Sequence, residues 1–132
     1  MLDGLNHITV AVSDLEQSFR FYTDLLGMSP KAKWKNGAYL TTGELWFCLS
    51  CDDSIPSKDY SHIAFNISEE NFPHLKAKLI KSNVNVWKQN KSQGKSFYIS
   101  DPDGHKLEIH VGNLADRLES LKITPYDELQ LF

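Results

Sequence analysis

The sequence has 132 residues, of which 41% are hydrophobic and 11% aromatic, and its formal net charge is −3. This length and apolar content suit one domain with a packed core and exclude a disordered chain. The mildly acidic charge argues against general binding to nucleic acid or anionic membranes, which requires a basic surface. Without a signal-peptide pattern or an apolar run of membrane length, a cytoplasmic location is predicted.

The chain repeats itself once. The segments 4–28 and 59–84 both read His-Ile, alternating apolar residues, a serine, an acidic cluster and an amphipathic stretch, with His7 and His62 at equivalent places. Two copies of such length indicate a duplicated supersecondary unit rather than a solenoid. We therefore predict a single domain, 1–132, with repeats at about 4–52 and 59–112 and a helical tail at 113–132.

The first repeat opens on a strand, since residues 5–12 alternate with period two. Ser13 and Glu16 fit a capping box, so a helix is predicted from there to Gly27. The apolar stripe of this helix comprises Leu15, Phe19, Tyr22 and Leu26. Three short strands are predicted around 30–35, 37–41 and 45–50.

The second repeat predicts the same order. A strand at 61–67 precedes a helix opened by Ser68, with Phe72, Leu75 and Leu79 as its apolar stripe. Strands follow at 84–88, 96–100 and 105–111, the last two joined by a turn at 101–104. A tail helix at 113–121 is capped by Asn113 and turns Leu114, Leu118 and Leu121 inward. The fold class is thus α+β, built from tandem βαβββ repeats.

Side-chain alternation places polar residues on one face of several strands. His7 and Thr9 share a face of the first strand, His62 one of the fifth, and Glu108 and His110 one of the last. This face is either solvated or the lining of a cleft in a curled sheet. If it lines a cleft, His7, His62 and Glu108 supply two imidazoles and a carboxylate, which suits a divalent first-row metal with open positions.

Four other residues that could bind a metal have different predicted roles. His105 lies in the turn on the wrong face for the cleft and is predicted at the surface. His110 is left open as a ligand, a partner of a ligand or a rim residue. Cys48 and Cys51 form a C-x-x-C spacing without a second pair, and we interpret this spacing as incidental.

The segment "KQNKSQGKS", residues 88–96, carries three lysines and no acid. Its amides, hydroxyls and ammonium groups form either an anion-binding loop or a mobile solvated loop. Lys88 shares the strand face of the inward residues Val84 and Val86, and Arg117 of the tail helix is predicted to reach the same region.

These features together resemble a known superfamily. The paired βαβββ units with a histidine on each first strand and a glutamate on a last strand resemble the vicinal oxygen chelate superfamily, which includes glyoxalase I and extradiol dioxygenases. The stretches "LNHITVAVSDLEQSFRFYTDLLGM", "DYSHIAF" and "WKQNKSQGKSFYISDPDGHKLEIHVG" look more narrowly like the fosfomycin-resistance glutathione transferases of the FosA type. The resemblance covers residues 1 to about 126.

The resemblance implies a curled mixed sheet paired across a homodimer, in which His7 joins His62 and Glu108 of the other subunit to bind Mn²⁺ or another divalent first-row metal. It implies an enzyme that adds the glutathione thiol to the epoxide of fosfomycin and so confers antibiotic resistance. The family's catalytic residues map onto Thr9, Lys88, Tyr98 and Arg117.

Three further sets of residues follow from the same resemblance. The substrate-binding set is Thr9, Trp46, Tyr60, Lys88, Ser92, Tyr98 and Arg117. The K⁺ set is Asn90, Ser92, Gly94 and Ser96. The glutathione channel is Trp34, Asn36, Tyr39, Ser50 and Lys91. Gln93, Asn36, Lys95 and Cys51 depart from the family's usual residues, which bears on thiol use more than on the metal or anion site.

Two other functions remain open on the same fold. One opens the epoxide with water or another thiol, and water would require a carboxylate base such as Glu44, which we predict to be at the surface. The other is a non-enzymatic protein that only sequesters the antibiotic.

Overall fold

The computed structural model describes residues 1–132 as an α+β protein with two four-stranded sheets. The first half contains β1 (His7–Val12), α1 (Leu15–Arg20) with a π-helical continuation (Phe21–Leu25), β2 (Ser29–Trp34), β3 (Gly37–Thr42) and β4 (Leu45–Cys51). The second half contains β5 (Ile63–Asn66), α2 (Phe72–Lys81), β6 (Val86–Lys88), β7 (Lys95–Ser100) and β8 (Lys106–Val111), followed by α3 (Leu114–Ile123). The predicted βαβββ order is confirmed in both halves.

The two sheets have the same topology. Their strand orders are β1-β4-β3-β2 and β5-β8-β7-β6. The first strand of each half runs parallel to the last strand of that half, and the other pairs are antiparallel. Each sheet is therefore mixed, and β1 and β5 each have one edge without a strand partner in the chain. The predicted curled sheet is present as two separate pieces.

One apolar core joins the halves. It contains 16 buried residues drawn from both sheets and both repeat helices. Phe47 of β4 and Phe65 of β5 meet edge to face with ring centroids 5.9 Å apart. Phe47 is fully buried and Phe65 is partly buried against the core. A fully buried side chain of this size contributes about 1.5–3 kcal/mol relative to exposure, so contacts across the core hold the halves against each other. No helix is both long and apolar enough to cross a membrane.

The helix starts differ in part from the predictions. Asp14, not Ser13, caps α1, because its carboxylate accepts from the Gln17 N–H at 3.1 Å. The second helix begins at Phe72, because Ser68 instead organises the preceding turn by accepting from the Asn71 N–H. The Asn113 cap of α3 is present as a capping box with Asp116.

The predicted inward stripe of α3 is wrong at two of its three positions. Leu121 is buried, whereas Leu114 is 70% exposed and Leu118 is 37% exposed. Helical spacing correctly identifies residues that share a face, but it does not show that another element covers that face.

The "DPDGH" turn between β7 and β8 ties the second half to the first. The Tyr22 hydroxyl donates to Asp101 Oδ2 at 2.6 Å, and the Ser13 N–H donates to the Asp103 carboxylate at 3.0 Å. A ring nitrogen of His105 lies 2.7 Å from the Ala11 carbonyl oxygen. The prediction that His105 lies at the surface is therefore wrong, since its ring is half-buried and bridges to β1.

We expect Tyr22→Phe to lower the free energy of unfolding by about 1–3 kcal/mol, because a buried carboxylate oxygen of Asp101 loses its donor. Burial, followed by the nearby Asp101 charge, also raises the pKa of Tyr22 above 10.0. The folded protein then holds this proton more tightly than the unfolded chain, so stability falls as pH rises above that value.

Urea denaturation at several pH values tests both effects. Tyr22→Phe should also lack the alkaline loss contributed by this phenol. The control is Tyr126→Phe in the exposed C-terminal segment, which should stay within about 0.5 kcal/mol of wild type. A Tyr22→Phe protein as stable as this control would contradict the assigned role of the hydrogen bond.

Candidate metal and anion site

His62 and Glu108 meet on one face of the second sheet. Glu108 lies in the middle of β8, is only 8% exposed, and pairs in register with Ala64 of β5, two residues after His62. His62 Nδ1 lies 2.8 Å from the Tyr60 carbonyl oxygen, and its Nε2 lies 3.0 Å from Glu108 Oε1. The carbonyl can only accept, so Nδ1 carries the proton and donates it there.

This arrangement suits a metal ion. With Nδ1 protonated in the neutral ring, the Nε2 lone pair of His62 and the Oε1 lone pair of Glu108 face each other, and only a shared proton or cation satisfies both. Nitrogen and oxygen ligands about 2.0–2.2 Å from a metal lie about 3 Å apart when at right angles. The Tyr60 carbonyl acts as the outer partner that typically orients a metal-binding histidine.

On the other sheet, the His7 ring is oriented in the same way, by a hydrogen-bond acceptor next to its Nδ1. His7 begins β1 with an exposed side chain, and its Nδ1 lies 2.7 Å from the Asn6 amide oxygen, which leaves Nε2 free. The Trp46 indole stacks on its ring with centroids 4.4 Å apart. Within one chain, no three His, Cys, Asp or Glu side chains have the arrangement of a metal site. His7 therefore does not complete the His62–Glu108 pair of its own chain.

A lysine lies beside the His62–Glu108 pair. The Lys88 ammonium donates to the Tyr60 hydroxyl and lies 4.8 Å from the centroid of the Tyr98 ring. The hydrogen bond to Tyr60 raises the pKa of Lys88, and the nearby Tyr98 and Glu108 act in the same direction. Lys88 therefore stays cationic throughout the neutral range and is suited to bind an anion.

Arg117 of α3 lies against the loop that follows β6. Its Nε donates to Gln93 Oε1 at 3.4 Å, its Nη2 to the Gln93 carbonyl at 3.2 Å, and its Nη1 to the Tyr126 hydroxyl at 3.5 Å. None of these acceptors carries a negative charge, so the guanidinium is positioned without being neutralised.

Of the four predicted K⁺ residues, Asn90, Ser92 and Gly94 contact one another within the loop, whereas Ser96 contacts Glu108. Asn90 organises the loop by accepting from the Ser92 hydroxyl and donating to the Gly94 carbonyl. Ser96 is buried in β7 and donates to Glu108 Oε2 at 2.5 Å instead. Ser92, Gly94 and Ser96 each retain an acceptor lone pair, so the segment offers the oxygen donors that hard cations prefer.

The first sheet presents an aromatic pocket of about 230 Å³ on the face that carries His7. Trp34 meets Tyr39, and Tyr39 meets Trp46, edge to face at 4.7 and 5.2 Å. The pocket lining is His7, Thr9, Trp34, Tyr39, Trp46, Cys48, Leu49 and Ser50. It therefore includes three of the five predicted channel residues, whereas Asn36 and Lys91 lie outside it. Cys48 and Cys51 are both free thiols.

A larger cavity lies elsewhere and does not mark the site. It measures about 510 Å³ and is bordered by α1, the end of α2 and the start of the turn after β7. Its lining contains none of the predicted metal, anion or thiol residues, so chemistry rather than size identifies the site. Glu44 is exposed in the turn before β4, as predicted.

Sequence reasoning missed two residues of the site. Trp87 packs its ring 5.5 Å from His62 and 5.2 Å from Tyr98, and its indole N–H donates to the Leu107 carbonyl at 3.0 Å. A bulge between Val86 and Lys88 breaks the alternation on which the prediction depended. Asn6 is the other residue. The only feature of the sequence that points to its role is its position directly before His7.

Comparison with known proteins identifies the family. The sequence profile of the Glyoxalase/Bleomycin resistance protein/Dioxygenase superfamily matches residues 4–109. The chain belongs to this superfamily.

Two relatives define its place within the superfamily. The chain is 53% identical to the glutathione transferase FosA of Serratia marcescens over 131 residues, covering 96% of this chain and 93% of that protein. It is 41% identical to the metallothiol transferase FosB of Staphylococcus epidermidis, covering 92% and 90%. The chain therefore belongs to the thiol-transferase family of these proteins, and the family resemblance found in the sequence is confirmed.

Solved structures of the fosfomycin resistance protein FosX from Listeria monocytogenes share the fold. One, complexed with Mn(II) and sulfate, has a TM-score of 0.83 and 28% identity, covering 91% of this chain and 98% of that chain. A variant complexed with Mn(II) and 1S,2S-dihydroxypropylphosphonic acid has a TM-score of 0.81 and 28% identity, covering 90% and 99%. The predicted fold class is confirmed.

We expect Tyr60→Phe to lower the pKa of Lys88, because the hydroxyl that accepts from the ammonium is lost. The orientation of His62 should be unchanged, because its partner is the main-chain carbonyl of residue 60. NMR titration of lysine labelled at Cε measures the pKa, with Tyr39→Phe on the other sheet as the control. An unchanged pKa of Lys88 in Tyr60→Phe would contradict the assignment.

Proposed function

We propose that the protein is a divalent-metal-dependent transferase that inactivates fosfomycin by adding the thiol of glutathione to its epoxide. The observation that carries the proposal is the pair of facing ligand atoms, His62 Nε2 and Glu108 Oε1, 3.0 Å apart beside the Lys88 ammonium. This places a metal position and an anion position side by side on one sheet face. A substrate that carries a phosphonate next to an epoxide requires both positions. The 53% identity to a glutathione transferase supports the same conclusion.

His62, Glu108 and a His7 side chain would hold the metal, which we propose to be Mn²⁺, with other first-row divalent ions as substitutes. When bound, it supplies Lewis-acid polarisation of the epoxide oxygen. Neutral imidazole and carboxylate ligands without sulfur suit such an ion. The Mn(II) in two complexes of the fold relative FosX supports this choice.

The phosphonate would be bound by the cations and hydroxyls around that position. We assign Lys88 and Arg117 to its charge and Ser92, Tyr98 and Tyr60 to its oxygens, since charge-assisted hydrogen bonds are the strongest ones available. Thr9, exposed on the sheet that carries His7, would bind the substrate at its reacting end, and Trp46 would line the cleft.

The aromatic pocket of the first sheet would receive glutathione. Trp34, Tyr39 and Ser50 line it, and Asn36 and Lys91 would extend the channel in the assembled site. In the reaction the thiol sulfur bonds to an epoxide carbon, that carbon–oxygen bond breaks, and the oxygen gains the proton that the thiol loses. Fixing both reactants in line contributes part of the about 7–11 kcal/mol available to well-oriented groups.

We also propose a K⁺ ion at the loop of Asn90, Ser92, Gly94 and Ser96. The free oxygen lone pairs of this segment support it, and a monovalent cation there would offset charge from the phosphonate. Loss of activity in Na⁺-only buffer, restored by K⁺, is the expected behaviour.

We propose a homodimer in which each site combines His7 of one subunit with His62 and Glu108 of the other. The position of His7 on a separate sheet supports this arrangement, as does the absence of a complete three-ligand set within one chain. The continuous core supports treating 1–132 as one domain with repeats at about 4–52 and 59–112 and a tail at 113–132. Use of glutathione would place the protein in the reducing cytoplasm.

Product analysis tests the function. With Mn²⁺, K⁺, glutathione and fosfomycin, we expect thiol consumption and a product whose mass equals the sum of both substrates. His7→Ala should abolish turnover and resistance in cells, whereas His74→Ala, at an exposed position of α2, should not. A diol product would instead indicate water addition, and one-to-one protection without turnover would indicate a binding protein.

Mixing two inactive variants tests the shared site. His7→Ala and Glu108→Gln are each expected to be inactive alone. In an equal random mixture about half of the dimers are heterodimers, and one of the two sites in each heterodimer combines the intact His7 of one subunit with the intact Glu108 of the other. About a quarter of wild-type activity should therefore return. No recovery after verified subunit exchange would show that the three ligands do not combine across subunits.

A further inference from the structure

His110 shares a strand face with Glu108 but has no part in the function proposed above. Its side chain is 18% exposed, and its Nδ1 lies 2.7 Å from the Ser96 hydroxyl oxygen and, at the longer distance of 3.3 Å, from Glu108 Oε2. The same hydroxyl lies 2.5 Å from Glu108 Oε2. Ser96 and His110 are register partners on β7 and β8, so the backbone pairing of these strands sets this contact.

The proton positions in this chain of bonds are fixed by what each group can do. A serine hydroxyl has one hydrogen, and a carboxylate oxygen can only accept, so Ser96 donates to Glu108. The hydroxyl oxygen must then accept from His110, and Nδ1 carries the ring proton. Nδ1 of His110 is thereby fixed as a donor to Ser96.

The two oxygens of Glu108 consequently have different tasks. Oε2 receives the Ser96 hydroxyl, while Oε1 faces His62 at 3.0 Å. A carboxylate held at one oxygen cannot rotate freely and presents only the other oxygen to a cation. Because Glu108 is only 8% exposed, little water is available to replace the missing contact if the hydroxyl turns away.

The imidazole of His110 also contacts the anion loop. A Cβ atom at Gly94 would lie 3.2 Å from Cε1 of His110, and one at Gly112 would lie 3.5 Å from its Nε2. Both glycines have positive φ, 88° and 119°, and leave room for the ring. The ring therefore lies between the loop and the end of β8, and this position keeps Nδ1 directed at Ser96.

We propose that His110 is a positioning residue that acts through the Ser96 hydroxyl to hold Glu108 as a ligand through Oε1 alone. This inference rests on the proposed function for the identity of the ligand, and it assigns a role to a residue that has none there. His110 does not touch the metal or the substrate. The expected loss on breaking such outer contacts is about 10- to 100-fold in metal affinity.

Metal affinity is measured with Mn²⁺ alone, by calorimetry or by the signal of free Mn²⁺, without fosfomycin or glutathione. His110→Ala and Ser96→Ala should each weaken Mn²⁺ binding about 10- to 100-fold. The double variant should be no weaker than the poorer single variant, because both changes break one chain of bonds. His110→Asn, whose amide N–H₂ can replace Nδ1 as a donor, should restore most of the affinity.

A second measurement reports on the metal-free protein. Nitrogen NMR of the histidine rings should show a hydrogen-bonded Nδ1–H on His110 in wild type, and Ser96→Ala should lose this signature. His74→Ala is the matched control for replacing a histidine, and circular dichroism checks that each variant is folded. A folded His110→Ala that binds Mn²⁺ like wild type, or additive losses in the double variant, would overturn the proposal.

These measurements distinguish a failure of this proposal from a failure of the proposed function. Wild type that binds Mn²⁺ but consumes no thiol would overturn the proposed reaction and leave the role of His110 intact. Wild type that binds no divalent metal would overturn both.

Discussion

The site depends on one electrostatic requirement: His62 Nε2 and Glu108 Oε1 point at each other across 3.0 Å. Two acceptors at this distance repel unless a cation or proton lies between them, and burial of the carboxylate increases the cost. The surrounding contacts maintain this pair. The Tyr60 carbonyl fixes the proton on the far side of His62, and Ser96 occupies the other oxygen of Glu108. The arrangement is stable only with positive charge supplied, either by a proton or by a cation such as the proposed metal ion.

The cations of the site differ from three other lysines that are paired with glutamates, although Lys78 and Lys106 also donate to neutral acceptors, which are main-chain carbonyls. Lys33, Lys95 and Lys122 each form an ion pair with a glutamate, which cancels their charge locally. Lys88 and Arg117 instead bond to neutral acceptors, the hydroxyls of Tyr60 and Tyr126 and the amide of Gln93. Neutral partners position a cation without reducing its attraction for an anion. Gln93, a departure from the family's usual residue, therefore leaves the Arg117 charge fully available.

The sequence predicted what local periodicity and duplication encode. The repeat identified His7 and His62 as equivalent, alternation put Glu108 on the same kind of face, and the element order was recovered in both halves. Features set by tertiary contacts could not be predicted in this way. The bulge before Lys88 brings Trp87 against His62, and the exposed Leu114 shows that an apolar stripe does not guarantee a covering surface. His105 looked free because its partner, the Ala11 carbonyl, is 94 residues away in sequence.

The same long-range contacts bear on how a divided site can work. His7 begins β1 and Glu108 lies in β8, so the relative position of the two halves sets the spacing between the two half-sites of one chain. The buried hydrogen bond from Tyr22 to Asp101 and the exposed one from Ser13 to Asp103 fix that relation next to the common core. In the proposed dimer, two-fold symmetry then requires both sites to close together, because each chain presents its two half-sites at a fixed separation. The turn that follows β7 thus contributes to both sites without touching either metal position.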